Sequence, residues 1–384
     1  MFTPIIPSSQ KNRRLRVALL AFSFAILSIY PVYRNFYYSN GLLTYERHRA
    51  VIEKRSEFYN PWQYRILCPY TIEAMLWVYD HTVDKVFPIE EKLHFNIEST
   101  SGTNDQTDQF VKLMQTPGAM KYMILFILFR FMEHFFIYYL VWRLWSYFVQ
   151  TKWLIFFGIN FLALSFGNAV TAADLSFNSY MDIIFYLLTA NIILYKKNPY
   201  WLLLITPLAA FNRETGMLIP ALYFISQMDF SKFSLKKINV SSIVFPAKHV
   251  WVLTIINYIV FISIFIGLKM YFGYRPQQMW KVPAGLPMLK LNLFSAVGVK
   301  AYMELVGTLA LIPLIIVYKF RVFPAILKKW FLFLVPVWFA VHYVSVVAYQ
   351  PRLFMVPMTL IMMPMMLWLI EKQARNTHPV HTTE

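Results

Sequence analysis

The sequence predicts an all-α protein, a polytopic transmembrane bundle of about ten spans with a long first outer loop that carries interfacial amphipathic helices. Three observations predict it. The 384 residues are 58% hydrophobic with a mean hydropathy of +0.48, well above the roughly 45–50% apolar content of a soluble domain. Runs such as Val17–Tyr33, Val250–Phe272, Leu305–Tyr318 and Leu353–Ile370 approach the roughly 20 apolar residues that cross a bilayer. Finally, the basic excess, a formal net charge of +17, gathers at the ends of those runs rather than on a polar domain. That distribution argues for membrane topology and against a nucleic-acid partner.

Taken in order, residues 1–16 form a basic cytoplasmic N-terminus, with Lys11, Arg13, Arg14 and Arg16 preceding the first apolar run. No small-residue cleavage site follows, so the run at about 17–33 reads as a retained signal-anchor helix. Lys and Arg stay on the cytoplasmic side of short loops, and this rule orients the rest. A span at about 119–142 returns to Arg143 and Lys152, which leaves 34–118 as one long outer loop. Spans at about 153–168 and 181–195 lead to Lys196 and Lys197; short runs at about 200–211 and 216–228 lead to Lys232, Lys236, Lys237 and Lys248. Those two runs suit a tilted or re-entrant hairpin packed inside the bundle. Spans at about 249–271 and 293–318 return to Lys319, Arg321, Lys328 and Lys329. Those at about 330–348 and 353–370 return to Lys372 and Arg375. Residues 17–370 thus read as one transmembrane domain, and 371–384 as a cytoplasmic tail. A multi-pass protein of a bacterial inner membrane, with both termini cytoplasmic, fits this pattern and the low Cys content.

Within the outer loop, residues 66–88 are apolar enough to suggest a crossing. Glu73, Asp80, His81, Asp84 and Lys85 make one expensive, so the stretch reads as an amphipathic helix in the interface. Asn96–Gln115 reads as a polar loop. In the stretch TYERHRAVIEKR, Glu46 and His48 read as part of a solvated amphipathic helix. Cys68 stands alone, which excludes an intramolecular disulfide and any CxxC metal site.

With sides assigned, the unusual polar residues fall on one face. NPWQYRILCP (60–69), AADLSFNSYMD (172–182), NRET (212–215), GYRPQQMWK (273–281) and YQPR (349–352) all lie on outer turns. They carry Tyr64, Arg65, Asp174, Arg213, Glu214, Arg275, Lys281 and Arg352. Each has a local reading: an interfacial aromatic with a snorkelling Arg for Tyr64-Arg65, a helix cap for Asp174, with Asp182 in the first turn near the dipole, a capped turn for NRET, and a helix start for Pro351-Arg352. Arg130 with Glu133 and His134, and Lys300 with Glu304, sit at helical spacing within spans and read as structural pairs facing the bundle. Convergence of all the outer motifs on one face favours a site. Arg is the preferred phosphate ligand because its planar fork donates two parallel hydrogen bonds and stays charged. Several Arg residues with one or two carboxylates at a membrane boundary suit a phosphate carried on a lipid tail.

The inward-anchored first helix, the long first outer loop and the bundle of about ten spans resemble the GT-C superfamily of polyprenyl-phosphate-dependent glycosyltransferases. YRILCP, DLSFNSYMD, NRETGMLIP and QPRLFMVP resemble motifs of bacterial membrane proteins of this type. The resemblance implies a sugar delivered on undecaprenyl or dolichyl phosphate to a glycan, lipid or protein acceptor. It further implies an acidic acceptor base in the first outer loop. There the earliest acid is Glu46, with no Asp before Asp80, so Glu46 is the first expectation for the base and Asp174 the second. Arg65, Arg213, Arg275 and Arg352 would contact phosphate with Tyr64 beside them, and Glu214 would orient Arg213. Divalent-metal dependence varies in that superfamily, and no metal ligands are assigned. A polysaccharide polymerase or ligase acting on lipid pyrophosphate, a lipid-linked-substrate flippase, and a non-catalytic membrane subunit are the other classes considered.

Overall fold

A computed structural model describes residues 10–38, 41–57, 59–92, 111–170, 177–230, 243–276, 282–348 and 350–377. Asp174, Lys281, the polar stretch 96–110 and the basic segment 231–242 lie outside the described residues. The chain is all-helical, 84% helix with no strands among the described residues.

Seven helices are long and apolar enough to cross a membrane. They are α1 (Gln10–Tyr38), α4 (Ala119–Phe148), α5 (Lys152–Ala169), α6 (Phe177–Leu194), α9 (Lys248–Phe272), α13 (Ala325–Ser345) and α14 (Pro351–Asn376). An eighth span is broken: α11 (Ala296–Leu309) and α12 (Ile312–Tyr318) meet at 78°, where Ala310 takes φ 51°. The longer of the remaining helices are α2 (Gly41–Ile52), α3 (Leu67–His81), α7 (Leu202–Asn212), α8 (Leu218–Gln227) and α10 (Leu286–Phe294).

Side-chain distribution on the outermost helices shows that their surroundings are lipid. On α1, Phe24, Ser28 and Asn35 are buried, while Leu19, Phe22, Ile26, Ile29, Tyr33 and Phe36 are exposed at alternating spacings of three and four. On α9, Val252, Ile255, Ile259, Ile262 and Ile266 make a second exposed stripe with the same period. Contiguous apolar stripes of this kind belong against acyl chains, not water. The central helices are the reverse: 83% of the apolar window of α14 and 72% of that of α6 is buried, against 17% for α1. The core therefore forms where α4, α5, α6, α13 and α14 meet, around Trp145, Tyr186, Trp338 and Met358. Within α14 a π-helical stretch covers Met358–Met362, and the carbonyl of Thr359 accepts from Trp145 Nε1 at 3.0 Å.

The count of about ten spans becomes seven or eight because α7 and α8 are short. Their 11 and 10 residues rise only ~15–17 Å, about half of a ~30 Å hydrocarbon core. Their turn reaches inside the bundle: Thr215 meets Asp182, more than one turn inside α6. As the hairpin contributes an even number of passes or none, the direction of every later helix is unaffected.

Helix α3, over the ambiguous stretch, is 15 residues long and is not among the crossing helices. Cys68, Pro69 and Ile72 are buried, whereas Tyr70, Trp77 and Val78 are exposed. Its charged end is pinned to α4, where Lys121 Nζ lies 3.0 Å from Asp80 and 2.7 Å from Asp84. At the opposite end of the bundle Glu371 accepts from the backbone N–H groups of Gln150 and Thr151, tying α14 to the α4–α5 turn.

Candidate functional site

FNRETG, residues 211–216, is built so that every polar side chain in it has a neighbour to hold. Asn212 ends α7 fully buried. Its Nδ2 donates to the Asn178 carbonyl at 2.8 Å, while Asn178 Nδ2 donates to the Asn212 carbonyl at 3.2 Å. Two amides thus clamp the end of α7 to the start of α6. The free oxygen of Asn212 accepts from the Cys68 thiol at 3.4 Å, which brings α3 to the same point. Arg213 is extended and a 3₁₀ turn, Glu214–Met217, follows. Gly216 permits that turn: a Cβ there would lie 2.8 Å from Ala209 Cβ and 3.0 Å from its carbonyl oxygen.

The clamp presents two Arg–carboxylate pairs. Arg65 Nη2 donates to Glu214 Oε2 at 2.7 Å. Arg213 is only 5% exposed; its Nη1 donates to Ser179 Oγ at 3.2 Å and lies 3.9 Å from Asp182 Oδ2. That Asp182 oxygen also accepts from Thr215 Oγ1, and Tyr186 OH donates to the Thr215 carbonyl at 2.6 Å. Burial pushes the Glu214 carboxyl up, but the charge and hydrogen bond of Arg65 outweigh it and hold the group below its ordinary 4.5.

These residues open onto a cavity of about 340 Å³, within the range of small-molecule sites. Arg65, Arg213, Glu214 and Lys269 form its charged part; Met217, Leu218, Phe265, Trp338 and Val341 form an apolar wall. His342 also lines it, with Nδ1 bonded to the Trp338 carbonyl at 2.8 Å. Arg65 is shared with a second, smaller cleft of about 30 Å³, lined also by His48, Asn178, Ser179 and Arg352. Arg352 bonds through Nε and Nη2 to Gln350 Oε1, at 3.2 and 2.8 Å. Across both cavities the cations Arg65, Arg213, Lys269 and Arg352 face one lining carboxylate, Glu214, while Asp182 is buried behind Arg213. The surplus is positive.

The structure brings together Arg65, Arg213, Glu214 and Arg352. Tyr64 and Arg275 stand beside them in another capacity. Tyr64 is 2% exposed; its hydroxyl donates to the Gly273 carbonyl and accepts from the Arg275 N–H. Asn60 Nδ2 donates to the Arg275 carbonyl at 2.7 Å, and the Arg275 guanidinium stacks on Tyr59, 3.9 Å from the ring centroid. Both residues thus latch the loop after α9 to the first loop. Glu214 pairs with Arg65, not with Arg213 as the resemblance implies. Glu46 is exposed on α2, whereas His48, two residues on, is fully buried. Two residues turn a helix by roughly 200°, so Glu46 points away from the face that meets Arg65 and Arg352. Asp174 is outside the described residues.

The reading of TYERHRAVIEKR as a solvated helix thus holds for Glu46 but not for His48. His48 Nε2 lies 2.7 Å from Glu73 Oε1, an oxygen that also accepts from Tyr122 OH at 2.8 Å. The only sequence trace of this burial is the stripe Thr44, His48, Val51, all buried, in which Val51 alone is apolar. Asp182, read as a residue near a helix start, is the buried carboxylate behind Arg213. Among the described residues, no group of three or more His, Cys, Asp or Glu side chains is placed to hold a metal ion. No family model matches this chain, and no curated protein or solved structure matches it either.

Proposed function

We propose that this integral membrane protein is a glycosyltransferase that binds a polyprenyl-phosphate-linked sugar in the Arg65–Arg213 cavity and transfers the sugar to an acceptor hydroxyl. The observation that carries the proposal is the composition of that cavity, in which a cationic surplus and an apolar wall face the same space. A free sugar would not need the guanidinium groups, and a free phosphate would not need Phe265, Trp338 and Val341. A phosphate with a sugar on one side and a lipid chain on the other uses both. In transfer, the bond between the anomeric carbon and the phosphate oxygen breaks. The electron pair stays on the phosphate, where fixed guanidinium groups stabilise the added charge without reorganisation. The resemblance to the GT-C superfamily points the same way. Basic turns at the other end of the bundle, including Lys196 and Lys197, support an outer-face position for the cavity by the positive-inside rule.

A test uses purified protein in detergent with polyprenyl phosphate carrying a labelled sugar. Bound donor and release of free polyprenyl phosphate are expected. Arg213→Lys is expected to cut donor turnover at least tenfold, because an ammonium cannot reproduce the bonds of the guanidinium fork to Ser179 and phosphate. A wild-type protein that neither binds nor consumes the donor overturns the proposal. Transport is the second reading, favoured by one observation: Glu133, buried in α4, has both carboxylate oxygens without a hydrogen-bond partner, and buried ionisable groups inside a bundle often mark transport paths. Consumption of donor in detergent, with no compartment to move it between, separates the two.

A further inference from the structure

Deepening that reading and resting on it, we infer that His48, oriented by Glu73, is the general base that takes the proton from the attacking hydroxyl in the cleft shared by Arg65 and Arg352. The first support is the tautomer. An ionised carboxylate only accepts hydrogen bonds, so the 2.7 Å contact to Glu73 Oε1 requires the ring proton on Nε2. The lone pair is then on Nδ1. That atom is buried and has no hydrogen-bond partner, although buried ring nitrogens are ordinarily satisfied. It belongs to a fully buried side chain that lines a cleft large enough for a water or a single hydroxyl. The Glu73 carboxyl is itself kept ionised: burial opposes this, but the hydrogen bonds from His48 and Tyr122 hold it below its ordinary 4.5.

Arg65 places this base relative to the donor, because it lines both the cleft and the larger cavity. A donor phosphate on Arg65 and Arg213 and an acceptor hydroxyl in the cleft would approach each other across one guanidinium. In the step, the acceptor O–H bond breaks and its proton passes to Nδ1 as the oxygen bonds to the anomeric carbon. The carbon–phosphate oxygen bond breaks, and the phosphate leaves with the electron pair. His48 becomes an imidazolium held directly against the Glu73 carboxylate, the stabilisation that makes a carboxylate–histidine pair an effective base. The charged groups facing His48 are Glu73, whose bonded oxygen also accepts from the neutral Tyr122 hydroxyl, and, from the cleft, Arg65 and Arg352. Two cations oppose the imidazolium, and the hydrogen-bonded carboxylate offsets them. His342, in the larger cavity, has no such partner: its Nδ1 is bonded to a neutral carbonyl and it faces Arg65 and Arg213.

Three variants test the inference in the donor-turnover assay with acceptor present. His48→Gln is expected to lower kcat by about 10²–10⁴-fold, the usual range for a general base, with KM for the donor within about twofold. Imidazole added to His48→Ala is expected to restore part of the lost kcat, an effect that a purely structural histidine would not show. His342→Gln is expected to lower kcat less than His48→Gln does, because its Nδ1 already donates to a neutral carbonyl. Wild-type turnover that His48→Gln leaves unchanged, or loss of kcat in His342→Gln alone, overturns this inference and leaves glycosyl transfer standing. If the wild type neither binds nor consumes the donor, that reading falls and this inference falls with it.

Discussion

At the scale of single residues, the site depends on where two side chains far apart in sequence meet. Arg65 and Glu214 are separated by 149 positions, and their 2.7 Å contact joins the first loop to the turn between α7 and α8. About a third of the Glu214 side chain stays exposed, so solvent screens the pair and its net contribution is about 1 kcal/mol. The sign of its pH dependence follows from the direction of the shift. Because the folded protein holds Glu214 below its ordinary 4.5, the contribution is complete above about pH 5 and disappears as pH falls through the lower folded value. Thermal midpoints measured from pH 7 to pH 3 are expected to show Glu214→Gln less stable than wild type at pH 7. The gap should close toward pH 3. A gap that is constant with pH would mean that Glu214 acts through packing and not through its charge. Arg65 and Glu214 were both legible in the sequence, because charged residues at the ends of apolar runs demand an explanation. His48 was not, because a histidine among Glu, Arg and Lys gives no sign of which helix face the fold covers. Its importance comes from Glu73, a residue whose charge in the sequence served only to argue against a crossing.

Helices α6, α7 and α8 show how element length sets the depth of the site. Because α7 and α8 are each about half a bilayer long, their turn is drawn inward to the level of Asp182. Brief apolar runs around NRET showed this shortness in the sequence, but not the depth, which is fixed by the Asn178–Asn212 clamp and the Thr215–Asp182 bond. Seven or eight helices reach crossing length against about ten expected runs for the same reason: hydropathy registers a short buried helix as readily as one that crosses. Gly216 is the point at which this geometry can be tested. A methyl group there meets Ala209, whose backbone oxygen at 3.0 Å belongs to a helix and cannot swing aside. Gly216→Ala is expected to cost about 1–3 kcal/mol, as overpacking in a filled interior does, and to weaken donor binding by displacing Arg213 and Glu214. Gly307→Ala is the matched control, since nothing lies within 4 Å of its added carbon. In a helix that change is expected to be neutral or stabilising by up to about 1 kcal/mol. Equal thermal midpoints for the two variants would show that the NRET turn is not held against α7.

For the whole molecule, the decisive relation is between lipid-facing helices and the two polar ends. Stripes on α1 and α9 expose only large apolar side chains, so the bundle sits in hydrocarbon and each crossing helix reverses the direction of the chain. Helix α6 runs away from the Asn178–Asn212 clamp and ends at Lys196 and Lys197. Helix α9 runs toward the site and ends at Gly273, whose carbonyl Tyr64 holds. The turn after α6 and the loop after α9 must therefore lie on opposite sides of the membrane, whether or not the α7–α8 hairpin reaches either surface. Lys197 and Tyr274 are both exposed, and the native Cys68 is buried and silent to a reagent that stays in water. A membrane-impermeant maleimide added to sealed, right-side-out cells or vesicles is expected to label Tyr274→Cys at once and Lys197→Cys only after permeabilisation. The reverse pattern would keep the fold but move the site to the cytoplasmic face, where a polyprenyl-phosphate sugar would have to be used before translocation. Labelling of both from one side would break the fold itself, because no arrangement in which α6 and α9 each cross once places those two residues together.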